Sequence, residues 1–540
     1  MKLRGFQSVK VKEIQNIGFV NDYITAPDLV KDYFHYLPDE VENFMEDLKT
    51  RVSFGLGSYL WQYNQEMGAK EDTLKNIEHL TEKRSFVIMT GQQPGLLTGP
   101  LYSIYKAIHA IKLANSLSFE YQTKFIPIFW NESQDSDWKE VNHFNILADG
   151  EIQRLEFQTD REGLPFGDIP IEDYSEFLDK VDKTFPTTKF KTVCLDLIKD
   201  TANSAVTFSD WFTCLLLQLF SDYGLVVVCP SKRPFKRLLI PFYQKELEDP
   251  IATTTMLNKA GDLLEARGYK RKIHKKPLLC NFFLKEDGKR ENVTFEGAEF
   301  RTQTHTFPWS KMLEILKSEP ERFSTGVALR PVAASFLFPI IGYVAGPNEL
   351  CYFAQLKEVF SRHGLKMPII FPRTSLTILE PGVTNVLEKH LVRLSSLIEE
   401  DIESFINRRI KEKMGREIDE KFLNVKHEVS DLINNLNKIV KDYDQTLCAS
   451  LDKLKGRFAH DLEEIEDKIV KGIKKREMAF TQQIYKIKNS IYPDNSLQER
   501  TLNIFHFLLR YGLDFIKALF NAFPLDYYKH HFLSLELEEE

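Results

Sequence analysis

Five short apolar runs constrain this chain more than any other feature: SFVIMT at 85–90, KFIPIFW at 124–130, GLVVVCP at 224–230, IIGYVAG at 340–346 and MPIIFP at 367–372. Runs of that length with almost no polar alternation are expected of parallel strands covered on both faces, since a strand with one wet face alternates apolar and polar side chains. Helical patterns lie between several of them, notably Leu101 to Ser116 and Leu350 to His363. The strand, helix, strand rhythm predicts an α/β fold built on a Rossmann-like, doubly wound parallel sheet.

Around that core, residues 1–84 read as an N-terminal helical cap, with Val41, Phe44, Met45 and Leu48 at helical spacing. Within the core at 85–380, the stretches 150–205 and 245–325 are longer and more polar than a crossover needs, so they read as insertions shaping a substrate mouth. Residues 381–490 read as a long α-helical coiled-coil arm, with helices at 384–412 and 417–490 separated at Met414 and Gly415. Its apolar stripe runs from Phe422 through Leu432, Leu436, Ile439, Tyr443, Leu447 and Leu454 to Ile473. The steps alternate three and four up to Ile439 and then run four, four, three, which predicts a seam that starts as a left-handed heptad and then straightens or reverses its twist. Such a stripe must pack on itself, on the core or on a second copy of the chain, and a homodimer through the arm is expected. Residues 491–540 read as a C-terminal helix returning to the core, with a frayed acidic tail at Glu536 to Glu540.

Lys and Arg number 71 against 78 Asp and Glu, so no global basic field exists to hold nucleic acid. The cysteines Cys194, Cys214, Cys229, Cys280, Cys351 and Cys448 form no CxxC pair and no dense disulfide framework. No leader-like apolar segment and no apolar stretch of roughly 20 residues is present, so a cytoplasmic protein without a membrane anchor is expected.

Chemistry concentrates in loops that follow the apolar runs. Thr90-Gly91-Gln92-Gln93-Pro94-Gly95-Leu96-Leu97-Thr98-Gly99-Pro100 ends the first run and opens a helix, where backbone N–H groups favour a phosphate or carboxylate. Its spacing is neither GxGxxG nor GxxxxGK[ST], and the residues leave ligand binding and a purely structural glycine turn both open. After the second run, Trp130 to His143 carries Asp135, Asp137, Glu140 and His143, able to bind a metal, take a proton or hold a substrate amine; the spacing matches no strong metal signature, and a purely structural acidic loop with a capping Asp stays equally open. Arg330 could pair with a carboxylate in the planar two-bond geometry, or sit in an internal salt bridge. Gly346 to Gln355 places Glu349 in a first helical turn, and Arg373 follows the last run.

Together these stretches resemble the bacillithiol biosynthesis cysteine-adding enzymes. That family's TGQQxGLxTGPLYxIYK, FW…EDHD…E.NH, LRP, GGPGE.AYWAQL and MP…PR.S.T..E segments all have counterparts here in the same order, the first read as TGQQPGLLTGPLYSIYK from Thr90 to Lys106. The resemblance implies a core similar to class I aminoacyl-tRNA synthetases, a dimerisation arm, and a ligase that joins L-cysteine to glucosaminyl malate. An amide needs an activated carboxyl, so ATP (or ADP as its product form) is the implied nucleotide; a metal requirement is not implied either way. On this reading Asp135, Asp137 and His143 orient the amine or move its proton, and Asp137→Ala abolishes bacillithiol formation with fold and dimer intact. Thr90, Gly91, Gln92, Gln93, Gly95, Thr98, Gly99, Tyr102, Trp130, Asn142, Gly346 and Arg373 bind substrate or nucleotide, while Arg330 and Glu349 grip the charged ends of cysteine or malate.

The chain departs from the family at Gln134-Asp135-Ser136-Asp137, where the pattern is EDHD, and at Ala334 and Ser335, where it is Gln-Asp. Asn348 also alters GGPGE. These substitutions leave two further readings open: a non-catalytic, dimeric ligand-binding or interaction protein, and a nucleotidyltransferase acting on another small acid.

Overall fold

The computed structural model describes residues 1–48, 55–82, 85–148, 150–172, 174–414, 416–476 and 478–536. They fall into two compact units, Met1–Pro381 with Ser496–Glu540, and Gly382–Asn495.

All five apolar runs are strands: β1 (Phe86–Gln92), β2 (Phe125–Asn131), β3 (Val226–Val228), β4 (Ile340–Ala345) and β5 (Ile369–Pro372). They form one sheet in the order β5-β4-β1-β2-β3, and every neighbouring pair is parallel. Every residue of β2 and β4 is buried, as expected for strands covered on both faces. The chain steps outward from β1 to β3 and then returns to the other side of β1 for β4. That reversal makes the gap between β1 and β4 the switch point, where the loops at the carboxyl ends part and leave a crevice. Helix α1 (Leu101–Glu120) carries the chain from β1 to β2, its Ile104, Ile108 and Ile111 wholly buried.

The two polar insertions fold on their own patterns. The first includes the antiparallel hairpin His143–Ala148 with Glu151–Glu156 and the helices Ser175–Thr184 and Lys191–Ser204. The second holds helix Ala252–Ala266 and strands of an antiparallel sheet ordered Thr306–Pro308, Glu299–Arg301, Lys289–Glu296, Leu279–Glu286, Phe323–Thr325.

Helices form where expected in both terminal segments, among them Val41–Asp47, Glu71–Glu82, Phe505–Tyr511 and Asp514–Ala522, but strands stand beyond them near each end. Lys2–Lys10 is a strand antiparallel to Lys529–Glu536, which in turn pairs in parallel with Ser375–Leu379. Only Leu3 of the first strand is buried, so its pairing rests on backbone hydrogen bonds and left no apolar alternation to read. Of the acidic tail, Glu536 pairs with Arg4 at 3.1 Å, and residues 537–540 lie outside the described residues.

The second unit is helical, with Ile402–Met414, Arg416–Lys441, Cys448–Arg476 and Met478–Ile491 its longest elements; the expected break at Gly415 lies outside the described residues. The single helix expected over 417–490 is instead a hairpin. Asn437 Nδ2 donates to Asp452 Oδ1 at 3.2 Å, Lys455 Nζ donates to Asn434 Oδ1 at 3.2 Å, and Lys426 lies 3.7 Å from Glu463, so the two long helices run antiparallel. Asp444 builds the turn, its Oδ1 accepting from Thr446 N at 2.8 Å and from Thr446 Oγ1 at 2.6 Å. The change of step after Ile439 therefore marks a reversal of the chain, not a straightened seam. Ile433 is buried at 4%, yet Leu432, Ile439 and Tyr443 remain 62%, 58% and 89% exposed.

Buried histidines set a pH dependence of stability. His109 Nδ1 accepts the backbone N–H of Thr374 at 3.1 Å, and His530 lies 2.8 Å from Ser375 Oγ. Burial lowers their pKa values to about 3 and about 4 respectively. The unfolded chain titrates near 6.5 at each, so it binds more protons than the folded chain between those values. This contribution is full above pH 6.5 and falls as pH drops toward 4. Urea unfolding at pH 7.5 and pH 5 should show a loss at the lower pH on the order of 1–2 kcal/mol per histidine. A loss no smaller in His109→Gln than in the wild type would contradict the assignment.

Candidate active site

The loop after β1 is built around backbone contact. A Cβ on Gly95 would lie 2.7 Å from Gly99 Cα, so these glycines let two stretches of main chain touch. Leu97, Thr98 and Gly99 all take positive φ, and Asn503 Nδ2 holds them by donating to Leu97 O at 2.8 Å and Gly99 O at 2.7 Å. The first N–H of α1 is also spoken for, since Leu101 N donates to Leu502 O at 2.9 Å. One donor expected to meet an anion at the start of α1 is thus taken by the chain itself, and Gly95, Thr98 and Gly99 are absent from the lining of the main crevice. Thr90 lies beneath it, its Oγ1 donating to Val344 O at 3.0 Å.

The crevice stands where the topology puts it, at the carboxyl ends of β1, β2 and β4, as a cavity of about 310 Å³. Gly91, Gln92, Gln93 and Tyr102 line it from β1 and α1, and Trp130 and Asp135 from β2 and its loop. Arg330 comes from α2 (Leu329–Leu337), Gly346 and Glu349 from the start of α3 (Pro347–Phe353), and Arg373 from just beyond β5. A Cβ on Gly91 would come within 2.9 Å of Trp130 O, so glycine keeps the ends of β1 and β2 together.

The loop after β2 divides its residues. Asp135 faces the crevice, whereas Asp137 is exposed and its side chain caps nothing at the helix Trp138–Val141. His143 Nδ1 lies 3.3 Å from Asn142 Oδ1, and His143 borders a separate cavity of about 30 Å³ with Gly95, Gly99, Glu140 and Arg500. Burial pulls the His143 imidazole below its ordinary pKa.

Charges in the crevice are paired with care. Lys106, buried at 3% exposure, donates to Gly91 O at 2.8 Å and Gln92 Oε1 at 2.9 Å, and its ammonium lies 2.5 Å from Glu349 Oε2. That pair ties α1 to α3 across the switch point. Burial lowers the Lys106 pKa, with Glu349 pulling the other way. Arg330 Nε lies 2.5 Å from Glu132 Oε2, which also accepts the indole N–H of Trp130 at 2.9 Å. Arg330 Nη2 and Arg290 Nη1 reach Asp135 at 3.5 and 3.3 Å, and Gln93 Nε2 donates to it at 3.1 Å.

The two carboxyls are driven apart. Burial pushes Glu132 above the usual range despite Arg330. Burial also works upward on Asp135, but Arg330 and Arg290 outweigh it and hold that group below its ordinary value. Arg373 makes a buried two-bond pair with Glu499, at 3.0 and 2.5 Å.

Lys106, Glu132, Arg290 and Arg500 were not singled out from sequence. Lys106 follows Tyr102 by one helical turn and Glu132 follows Trp130 by two strand positions, so each shares a face with a residue that was. Arg290 and Arg500 come from distant segments with no local signal. Among the described residues no group of three or more His, Cys, Asp or Glu side chains is arranged to hold a metal ion.

The family description "Bacillithiol biosynthesis BshC, N-terminal Rossmann-like domain" matches residues 5–374, and "Bacillithiol biosynthesis BshC, C-terminal coiled-coil domain" matches residues 376–535. This chain belongs to the BshC family. Relatives include a Bacillus cereus protein named "Putative cysteine ligase BshC", 27% identical over 98% of this chain and 100% of its own length. A Desulforamulus reducens protein of the same name is 30% identical over 94% of this chain and 96% of its own. A crystal structure named as a "putative arginyl t-RNA synthetase" from Campylobacter jejuni is similar at 12% identity over 86% of this chain and 97% of that one, with a TM-score of 0.22, too low to carry an argument. The parallel sheet and the Rossmann-like match agree on the fold expected from the apolar runs.

The structure also shows what the departures from the BshC pattern do. Gln134 is buried outside the crevice lining, its Nε2 donating to Pro230 O at 3.0 Å and its Oε1 accepting from Thr325 N at 3.1 Å. A neutral amide can serve a carbonyl and an N–H at once, which a carboxylate cannot. Ala334 and Ser335 are buried in α2.

Proposed function

We propose that this BshC family member joins L-cysteine to glucosaminyl malate through an amide bond, with ATP as the co-substrate that activates a carboxyl group. The observation that carries the reading is convergence: segments around Gly91, Asp135, Arg330, Glu349 and Arg373, far apart in sequence, line one crevice at the switch point. Both signs of charge stand there side by side, as a zwitterionic amino acid and an acid-bearing amine require. In this reading Asp135 and Arg330 hold the reacting groups in register, and the Lys106–Glu349 pair fixes the floor on which Gly91 and Gln92 stand. Asp137, Asn142 and His143 are then secondary, since they lie outside the crevice lining.

Incubating the purified full-length chain with cysteine, glucosaminyl malate and ATP, and measuring the amide product by mass spectrometry, tests the proposal. Product that forms only with all three supports it. No product under any condition would favour the non-catalytic reading that the substitutions at Gln134, Ser136, Ala334 and Ser335 raise.

We also propose that the chain forms a homodimer through its helical hairpin, whose Leu432, Leu436, Ile439 and Leu454 are 43–62% exposed. Light scattering that reports a single chain at micromolar concentration would rule that out. A cytoplasmic setting suits the buried free thiols of Cys194, Cys214, Cys229, Cys280 and Cys351.

A further inference from the structure

The cations of the crevice are not equivalent. Lys106 is matched by Glu349, Arg373 by Glu499, and Arg330 with Arg290 by Glu132 and Asp135. Arg500 is the exception. It stands on α4 (Gln498–Thr501), is solvent-exposed, and lies over the Tyr102 ring at 6.0 Å, with no carboxylate within ion-pair distance among the described residues. It lines both the main crevice and the small adjoining cavity, so it stands at their junction. Glu140, the acid that shares the small cavity, accepts instead from Gln93 Nε2 at 2.9 Å.

A guanidinium left unmatched beside internally neutralised pairs is the group that gives a crevice affinity for an anion, because binding there breaks no existing ion pair. Its planar fork suits a carboxylate, and the Tyr102 ring beneath it limits where the fork can point. We infer that Arg500 is a specificity-determining residue that binds a carboxylate of the acid-bearing acceptor, and so selects an acceptor carrying an acid over a neutral amino sugar. The inference rests on the ligase reading for the identity of that acceptor, not for the anion site itself.

The test compares wild type with Arg500→Met and Arg500→Lys on two acceptors, glucosaminyl malate and methyl glucosaminide, which lacks the acid. Losing one charge-assisted pair should lower kcat/KM for glucosaminyl malate roughly ten- to hundredfold in Arg500→Met, with the loss carried by KM. Arg500→Lys should recover part of it, a point charge lacking the two-bond fork. The preference for the acid-bearing acceptor should collapse. If Arg500→Met keeps that preference, or slows both acceptors equally, the inference is overturned. Calorimetric titration of glucosaminyl malate separates the two claims: Arg500-dependent binding without turnover leaves the anion site standing and removes the ligase reading, whereas turnover with Arg500-independent binding does the reverse.

Discussion

Asp135→Asn should lower amide formation roughly a hundredfold or more, the size of loss that follows when a reacting centre shifts by about an ångström. Asp135 is the point on which Arg330, Arg290 and Gln93 converge. Asparagine keeps the shape but removes the charge on which Arg330 Nη2 and Arg290 Nη1 converge, so both guanidinium groups lose the partner they meet at the crevice while Arg330 keeps Glu132. The comparison that decides the matter is Asp137→Ala. Exposed and without a capping bond, Asp137 should give less than a tenfold loss, contrary to its expected role from the motif alone. Rates measured on folded protein, with near-ultraviolet circular dichroism as the check, would contradict the geometric reading if Asp137→Ala proved the more damaging.

The largest effect on stability should come from Glu499→Ala. Glu499 is wholly buried, receives both terminal nitrogens of Arg373 and also accepts from Leu376 N at 3.1 Å. Burial works to raise its pKa, and Arg373 wins and holds it below the ordinary value. Removing the carboxylate strands a guanidinium in the interior, which costs about 3–5 kcal/mol. Replacing both partners, Arg373→Met with Glu499→Leu, should recover much of that loss, because no uncompensated charge remains. Urea unfolding of the single and double variants measures both. If the double variant is as unstable as the single one, the charge pair is not the cause. Since Arg373 also lines the crevice, amide formation by the refolded double variant separates its structural role from any contact with substrate.

These outcomes bear on how far the sequence could be read. Five apolar runs, each too short for a helix and too uniformly apolar for a wet-faced strand, identified the parallel sheet. The same local logic located the segments at strand ends that carry Gly91, Asp135 and Glu349, because the carboxyl ends of such strands gather at one edge, whereas Arg330 stands in the helix before β4. That logic left open whether Gly95 and Gly99 serve a ligand or a turn, and the close backbone contact between them favours the turn; it weighted Asp137 and His143 with Asp135 because a motif does not say which side chains face inward.

What the sequence determined by itself was therefore the class of fold and the edge of the sheet at which the crevice opens, since burial on two faces leaves a mark in every residue of a strand. Tertiary structure alone decided which charges are neutralised and which stay available. Arg500 reaches the crevice, and Arg290 reaches its Asp135, from segments far from the motifs, and Glu499 disarms Arg373 from across a long gap in sequence. The terminal strands and the hairpin turn at Asp444 belong to the same category, because backbone pairing and chain reversal leave little trace in apolar periodicity.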